Sequence, residues 1–202
     1  MKLFYAPGAC SMASHIVLHE IGKPFEIEKV STKTKVMESG GDFFAINPKG
    51  AVPALQLDGG EVLTEGPAIL QYVADSNGAT DLAPPAGTLA RARVQEMLSF
   101  VGSELHKSFS PLFHPGKTDA EKDAARELLN KKFAWLESLL ADGRDYLTGP
   151  NFTVADAYAF VVTSWTKPMS VSLDAWPKLK DYVARVAARP SVQATMKAEG
   201  LI

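Results

Sequence analysis

The chain has 202 residues, of which 46% are hydrophobic and 22% charged, a composition typical of a folded protein rather than a disordered one. Its formal net charge is −2, with Lys and Arg scattered among Asp and Glu, so neither nucleic acid nor an anionic membrane is an expected partner. Pro7 and Gly8 break the apolar run at the N-terminus, and the longest apolar stretch elsewhere, 154–165, is shorter than the roughly 20 residues that span a bilayer. We therefore expect a cytoplasmic protein with no membrane partner.

In the first 80 residues, short strand-like runs alternate with helical patterns. Residues 2–5 and 25–30 are predicted strands, and 11–21 between them carries apolar residues at helical spacing. Gly22 followed by Pro24 is typical of a helix end.

The remainder of this half predicts a hairpin and a second helix. Residues 54–57 and 62–63 flank the turn Asp58-Gly59-Gly60. Residues 67–75 read as a helix with proline at its first position and Gly66 as its N-cap. The order is βαβ followed by ββα, which predicts a mixed four-stranded sheet with helices.

Everything beyond a Pro- and Gly-rich segment at 78–88 has helical periodicity. Residues 154–165 are apolar nearly all round, as in a helix buried at the centre of a bundle. About five helices are expected, the last being an amphipathic one that stops before Pro190. We predict an α/β domain at 1–79 and an all-α domain at 88–202.

Cys10 is the only cysteine, which excludes a disulfide within the chain. It follows a predicted strand and the Pro7-Gly8 turn and stands at the start of the first predicted helix. Free backbone N–H groups and the positive end of the helix dipole stabilise an anion there, so we expect a lowered thiol pKa and a reactive thiolate. The alternative is an inert thiol packed beneath the helix. Ala13 replaces the second cysteine of a C-x-x-C motif, so an external thiol must supply any second sulfur.

Two further segments of this half are candidates for ligand contacts. Val52-Pro53 precedes the strand at 54–57, where the proline either marks the strand start in the trans form or forms a cis bond beside a ligand. An N-cap at Gly66 leaves helix N–H groups free to bind a carboxylate. Glu65 beside it either holds a ligand ammonium group or complements the helix dipole.

The predicted helix at 89–109 carries a polar stripe opposite its apolar face, made of Ser99, Ser103, His106 and Ser110. The stripe is either a solvated face or one wall of a cleft, in which His106 transfers a proton or bonds to a sulfur. Further along, Thr153-Val154-Ala155-Asp156 is a capping box with Asp in place of Glu. We assign the capping box to folding and not to catalysis.

These features together resemble glutathione transferases. The resemblance rests on a thiol at the first helix of a short α/β domain, the segment NPKGAVPAL, an acidic turn that opens a helix, and an all-α domain containing TVAD. The N-terminal segment FYAPGACSMASHIVLHEIG is similar to the beta class found in bacteria. The resemblance covers essentially the whole chain. It implies a thioredoxin-like glutathione-binding domain, an all-α domain that lines the electrophile site, and a homodimer.

The resemblance also implies roles for individual residues, with glutathione as co-substrate and no cofactor or metal. Cys10 contacts the glutathione sulfur and can form a mixed disulfide with it, and His106 and Lys107 match positions near that sulfur. Phe113 and Trp165 are the implied walls of the electrophile site in the cleft between the domains.

Seven further positions match residues that bind glutathione. They are Lys35 for the glycine carboxylate, Val52 before a cis Pro53 for the cysteinyl backbone, Glu65 and Gly66 for the γ-glutamyl group, and Ser103 and Glu104 for the site of the neighbouring subunit. Family members often carry a serine at position 66, so Gly66 predicts binding weakened by ~1 kcal/mol, the worth of one hydrogen bond.

We therefore expect an enzyme of detoxification that conjugates glutathione to electrophilic small molecules, with glutathione-dependent thiol-disulfide activity through Cys10. Reductive dehalogenation is a further reaction that competes with conjugation. The alternative is a non-catalytic protein that keeps the fold for ligand carriage or regulatory binding. The presence of Cys10, Glu65 and His106 favours the enzyme.

Overall fold

The computed structural model describes all 202 residues, which divide into two compact units. The first unit is Met1–Ala83 with Ala188–Ile202, and the second is Pro84–Ala187. The predicted boundary of 88–202 therefore needs correction at its end, because the C-terminal helix packs against the first helix of the chain. No helix is both long enough and apolar enough to cross a membrane.

The first unit contains the predicted mixed sheet of four strands and the two predicted helices, together with a third α-helix from the C-terminal segment. The elements are β1 (Lys2–Tyr5), α1 (Ser11–Ile21), β2 (Glu26–Lys29), β3 (Ala54–Gln56), β4 (Val62–Thr64), α2 (Gly66–Ser76) and α8 (Pro190–Ala198), with a 3₁₀ turn at Phe43–Ala45. The strand order is β2-β1-β3-β4, in which β1 runs parallel to β2 and antiparallel to β3, and β3 runs antiparallel to β4.

Helix α1 has the predicted bounds because its end is encoded locally. Gly22 adopts a left-handed conformation with φ of 71°, and its N–H donates to the carbonyl of Leu18 at 3.2 Å. A residue without a Cβ accepts this conformation at no steric cost, and Pro24 then prevents the helix from resuming. The helix is buried from Ser11 to Leu18, since α2, α8 and β1 all pack against it.

The two faces of the sheet carry different sets of side chains. Successive residues of a strand point to opposite faces. Phe4 packs with Val30, Phe43 and Ala54 in one buried cluster. Tyr5 packs against the ring of His15 in α1, with the ring centroids 5.7 Å apart. The sheet therefore holds α1 on one face and the 3₁₀ turn on the other.

Polar side chains of the C-terminal segment bind Glu20 and His15 of α1. The guanidinium of Arg189 binds the carboxylate of Glu20 through Nε and Nη2, at 2.9 and 3.0 Å. Glu199, just after α8, is buried, and its Oε1 lies 2.9 Å from Nδ1 of His15. Its Oε2 accepts the backbone N–H of Gly8 at 2.8 Å. One buried carboxylate thus joins the C-terminus, α1 and the turn that leads into Cys10.

The second unit is entirely helical, as predicted. Its elements are α3 (Leu89–Phe100), a π turn (Val101–Leu105), α4 (His106–Phe113), α5 (Asp119–Leu139), a 3₁₀ turn (Leu140–Asp142), α6 (Val154–Ser164) and α7 (Pro177–Ala187). Helix α6 is buried over almost its whole length. Its predicted capping box is confirmed: Asp156 accepts the N–H and the hydroxyl of Thr153, each at 2.8 Å.

We predict that Glu199→Ala destabilises the chain by about 3 kcal/mol, because it removes the acceptor from a buried imidazole and from a partly buried backbone N–H. Glu96→Ala is the matched control, since Glu96 is exposed and pairs only with Arg93, which is worth less than about 1 kcal/mol. Urea unfolding of both variants at one protein concentration measures the difference. Equal stability of the two variants would contradict this role.

Candidate functional site

The turn that leads from β1 into α1 is held by a short network of hydrogen bonds. The hydroxyl of Ser11 accepts the N–H of Ala6 at 3.1 Å and donates to the carbonyl of Ala6 at 3.3 Å. Gly8, with φ of 68°, donates to Glu199. The buried polar groups of this turn thereby have partners, and Cys10 follows it in a fixed place as the N-cap of α1.

The Cys10 thiol lies where the sequence predicts, but its acidity is opposite to the expectation. Burial raises the pKa of this thiol to about 11, because a thiolate loses its solvation there. The N–H groups of Cys10 and Ser11 favour the anion but are outweighed, and the negative charge of Glu65 raises the pKa further. The predicted lowering of the pKa is therefore wrong, and the thiol is protonated at neutral pH.

The protonated thiol has a defined acceptor. Sγ of Cys10 donates to the carbonyl oxygen of Val52 at 3.3 Å. The bond from Val52 to Pro53 is cis, as the resemblance implies. Upstream, the amide of the buried Asn47 donates to the carbonyl of Ala51 at 2.7 Å and orders the loop that presents Val52.

The start of α2 departs from the prediction by one residue. Glu65, with φ of 70°, is the N-cap, and Gly66 is the first helical residue. The N–H groups of Ala68 and Ile69 both donate to the carbonyl of Glu65, each at 3.0 Å. Since Pro67 has no N–H, Gly66 supplies the backbone donor that this terminus can offer to a ligand. The start of α2 therefore offers fewer free backbone N–H groups to a ligand than the sequence predicts.

Glu65 has a partner that the sequence reasoning missed. The ammonium of Lys49 forms a short ion pair with its carboxylate and donates to the hydroxyl of Thr64 at 2.8 Å. Both members of the ion pair are exposed, so the pair is weak and exchangeable. Lys49 is the lysine of the segment NPKG, and no local pattern in the sequence links it to Glu65.

Lys35 lies in the same unit with its backbone fixed. It has φ of 59°, its N–H donates to Ser31 at 2.9 Å, and its carbonyl accepts from Phe43 at 2.8 Å. Its side chain is half-buried. The first unit therefore carries six of the predicted site residues: Cys10, Lys35, Val52, Pro53, Glu65 and Gly66.

The second unit holds the other six, and a π turn determines where His106 points. The N–H of His106 donates to the carbonyl of Val101, five residues earlier, which shifts the helical register by one residue. Ser99, Ser103 and Ser110 are exposed as a solvated stripe, whereas His106 is half-buried. The solvated-face alternative therefore describes the three serines but not His106, whose place in a cleft stays a prediction.

The His106 ring is held by two aromatic side chains. Nδ1 of the ring lies 2.7 Å from the hydroxyl of Tyr158 in α6, and the ring centroid lies 4.7 Å from that of Trp165 at an interplanar angle of 72°. Burial lowers the pKa of His106, and the positive charge of Lys107 lowers it further. The imidazole is therefore neutral at neutral pH. Tyr158 carried no signal in the sequence, since it stands in an apolar helix.

The two residues predicted as walls of the electrophile site differ in exposure. Trp165 is buried, with its ring in edge contact with Phe109 at 5.7 Å and with Phe113 at 5.2 Å between centroids. Phe113 is 47% exposed. Phe113 therefore offers apolar surface to a ligand, while Trp165 supports Phe113 and His106 from the interior of the unit.

Ser103, Glu104 and Lys107 lie together in a groove between the π turn and α5, with a volume of about 410 Å³. Ser103 donates to the carbonyl of Ser99 at 2.8 Å, and Glu104 forms an ion pair with Lys132 at 2.6 Å. All three predicted residues have exposed side chains. The three side chains are therefore accessible to solvent at this groove.

Comparisons with known proteins agree with these two units. The family models described as glutathione S-transferase N-terminal domain and glutathione S-transferase C-terminal domain match residues 8–76 and 100–190. The glutathione S-transferase GstA of Escherichia coli O157:H7 is 45% identical over 201 residues, covering 100% of both chains.

Solved structures of glutathione S-transferases are similar to this chain over its whole length. A sphingomonad glutathione S-transferase complexed with glutathione has 50% sequence identity and a TM-score of 0.95, covering 100% of both chains. A bacterial beta-class glutathione S-transferase of Sphingomonas chungbukensis has 48% identity and a TM-score of 0.96, again over 100% of both chains.

We predict that alkylation of Cys10 by iodoacetamide accelerates about tenfold per pH unit between about pH 7 and pH 10, because the thiolate fraction rises in that proportion below a pKa of about 11. Cys10 is the only cysteine, so the label reports on one site. The urea-unfolded chain is the control, and its rate should level off above about pH 8.5, the ordinary thiol pKa. A plateau in the folded protein at or below that pH would refute the raised pKa.

Proposed function

This chain belongs to the glutathione S-transferase family, and we propose that it works as a bacterial beta-class enzyme that transfers glutathione to electrophilic small molecules. The proposal assigns glutathione to the first unit as co-substrate. It includes a cytoplasmic location, in keeping with the absence of a membrane-spanning helix.

The observation that carries the proposal is the neutral Cys10 thiol beside the Val52 carbonyl, at the start of α1. A neutral S–H group is a hydrogen-bond donor, and a thiolate is an acceptor. When the glutathione sulfur arrives as a thiolate, the S–H of Cys10 turns from Val52 to that sulfur. The N–H groups at the helix start add to the stabilisation of the anion.

The two ends of glutathione meet charged side chains of the same unit. In the proposal, Glu65 holds the γ-glutamyl ammonium group, and the N–H of Gly66 donates to the neighbouring carboxylate. Lys49, which pairs with Glu65 in the ligand-free structure, is released by the incoming ammonium or moves to the carboxylate. Lys35 binds the glycine carboxylate.

The reaction then needs only an electrophile near the sulfur. The glutathione thiolate forms a C–S bond to an aryl halide carbon, and the halide leaves with its bonding electron pair. The proposal gives Phe113 the apolar contact with the ring of such an electrophile, because it is the exposed member of its aromatic cluster. His106 and Lys107 are assigned to stabilise developing negative charge.

Thiol-disulfide exchange through Cys10 is the slower reaction in this account. Attack of Cys10 on oxidised glutathione gives a mixed disulfide and releases one glutathione thiolate, and it requires the Cys10 thiolate. The raised pKa of Cys10 makes that thiolate scarce at neutral pH.

We expect Cys10→Ala and Cys10→Ser to bind glutathione with dissociation constants within about threefold of wild type, since the ligand ends are held elsewhere. Neither variant can form the mixed disulfide, which mass spectrometry of the protein incubated with oxidised glutathione detects. Cys10→Ser keeps a hydroxyl donor, so its conjugation rate with an aryl halide should exceed that of Cys10→Ala by roughly tenfold. If no variant, wild type included, conjugates any of a panel of aryl halides, epoxides and enones, the proposed function is wrong.

We propose that the protein is a homodimer, with Ser103 and Glu104 contributing to the glutathione site of the neighbouring subunit. The exposure of both residues in a groove supports the assignment. Sedimentation equilibrium should give twice the mass of the 21.7 kDa chain at micromolar concentration. A monomer under those conditions would overturn it.

Gly66→Ser should tighten glutathione binding several-fold by adding one hydrogen bond, on the order of 1 kcal/mol. A Cβ at this position lies 4.0 Å from the nearest neighbour, Cγ of Pro53, so the side chain fits. Gly66→Ala is the control, because it adds the same Cβ without the hydroxyl and should leave affinity unchanged. Calorimetric titration of both variants decides the matter, and equal affinities would show that no carboxylate lies at this terminus.

A further inference from the structure

The hydrogen bond between His106 and Tyr158 joins α4 to a helix that cannot easily move. Tyr158 is 5% exposed and stands two residues after Asp156, whose buried carboxylate accepts the N–H of Leu147 at 2.8 Å. Tyr158 is thereby fixed in the most buried helix of the second unit. The His106 ring is also in edge contact with the ring of Trp165.

We propose that Tyr158 is a positioning residue which donates its hydroxyl proton to Nδ1 of His106, so that the imidazole carries its own proton on Nε2. His106 then presents an N–H donor to the reacting groups and cannot act as a base through Nε2. The role in catalysis rests on the proposed transferase function, but the protonation pattern is a property of the protein alone.

The direction of the hydrogen bond follows from the chemistry of the two partners. A neutral imidazole has one nitrogen that donates and one that accepts. A phenol is a far stronger acid than an imidazole N–H, and an imidazole nitrogen is a stronger base than a phenol oxygen. The pairing O–H···N is therefore favoured over N–H···O at the observed separation of 2.7 Å.

The surroundings of the ring keep it neutral. The charged group that acts on it is Lys107 of its own helix, which disfavours a second proton. The titratable group that faces it from α6 is the phenol of Tyr158, and the ring of Trp165 is uncharged. No carboxylate acts on the ring in a way that would favour imidazolium.

With its proton on Nε2, His106 acts as a hydrogen-bond donor to an anion in the reaction. A thiolate, or a leaving anion, accepts a hydrogen bond from a neutral N–H without a proton having to be transferred. Tyr158 makes this geometry permanent rather than dependent on substrate, as an outer partner does for a metal-bound histidine.

Nuclear magnetic resonance of the wild-type protein labelled with ¹⁵N-histidine tests the proposal without any variant at the site. The chain has 4 histidines, and the signals of His106 are identified by their loss in His106→Gln. We expect the two-bond ¹H–¹⁵N pattern of the Nε2–H tautomer at neutral pH. The Nδ1–H pattern would overturn the proposal.

The variant Tyr158→Phe provides a second and independent test of the direction of this hydrogen bond. A donated hydrogen bond stabilises the neutral ring, so its removal should raise the pKa of His106. If Tyr158 instead accepts from Nδ1–H, the same substitution lowers that pKa. Tyr72→Phe in α2 is the control, since Tyr72 is 39% exposed, and it should leave the signals of His106 unchanged.

Kinetics separate this inference from the proposed function. Tyr158→Phe should lower kcat for conjugation roughly two- to tenfold and leave the KM for glutathione unchanged. His106→Gln retains an N–H donor near the Nε2 position and should be more active than His106→Leu; equal loss in both would contradict donation. An Nε2–H tautomer in a protein that conjugates nothing would refute the transferase function and leave the assignment of Tyr158 intact.

Discussion

Two opposing effects act on the sulfur of Cys10, and the balance between them decides the chemistry of the first unit. The N–H groups at the start of α1 favour an anion, while burial removes the water that a thiolate needs. Burial is the larger effect, so the ligand-free protein holds a neutral thiol that donates to Val52. The site therefore provides a place for negative charge without generating the charge itself. A thiolate brought by the co-substrate meets both the helix terminus and a proton donor.

The fold keeps that thiol in place by contacts distant in sequence. Glu199 reaches the turn before Cys10 from the other end of the chain, and Asn47 orders the loop that carries Val52. Because the side chains of Glu199 and Asn47 are themselves buried, these hydrogen bonds are partly shielded from water and hold the geometry around the sulfur before any ligand arrives. The exposed pair of Lys49 and Glu65 is the opposite case, and it is free to rearrange when a ligand ammonium group competes.

Features with local causes were predictable from the sequence. The bounds of α1 follow from Gly22 and Pro24, and the capping box at Thr153 marks the start of α6. The predictions that failed depend on tertiary structure. The positive φ of Glu65 displaces the N-cap from Gly66 to Glu65. The pKa shift of Cys10 was predicted in the wrong direction, because a sequence shows where a helix begins but not how deeply a side chain is buried there.

The central claim is that the charged sulfur belongs to glutathione and not to Cys10. Ultraviolet absorbance of thiolate, titrated with pH in the glutathione complex of wild type and Cys10→Ala, tests it most directly. The account predicts one bound thiolate in both proteins, formed below the pH at which free glutathione ionises, with a higher midpoint in Cys10→Ala because the S–H donor is gone. Disappearance of the thiolate signal in Cys10→Ala would show that Cys10 carries the charge and would contradict the account.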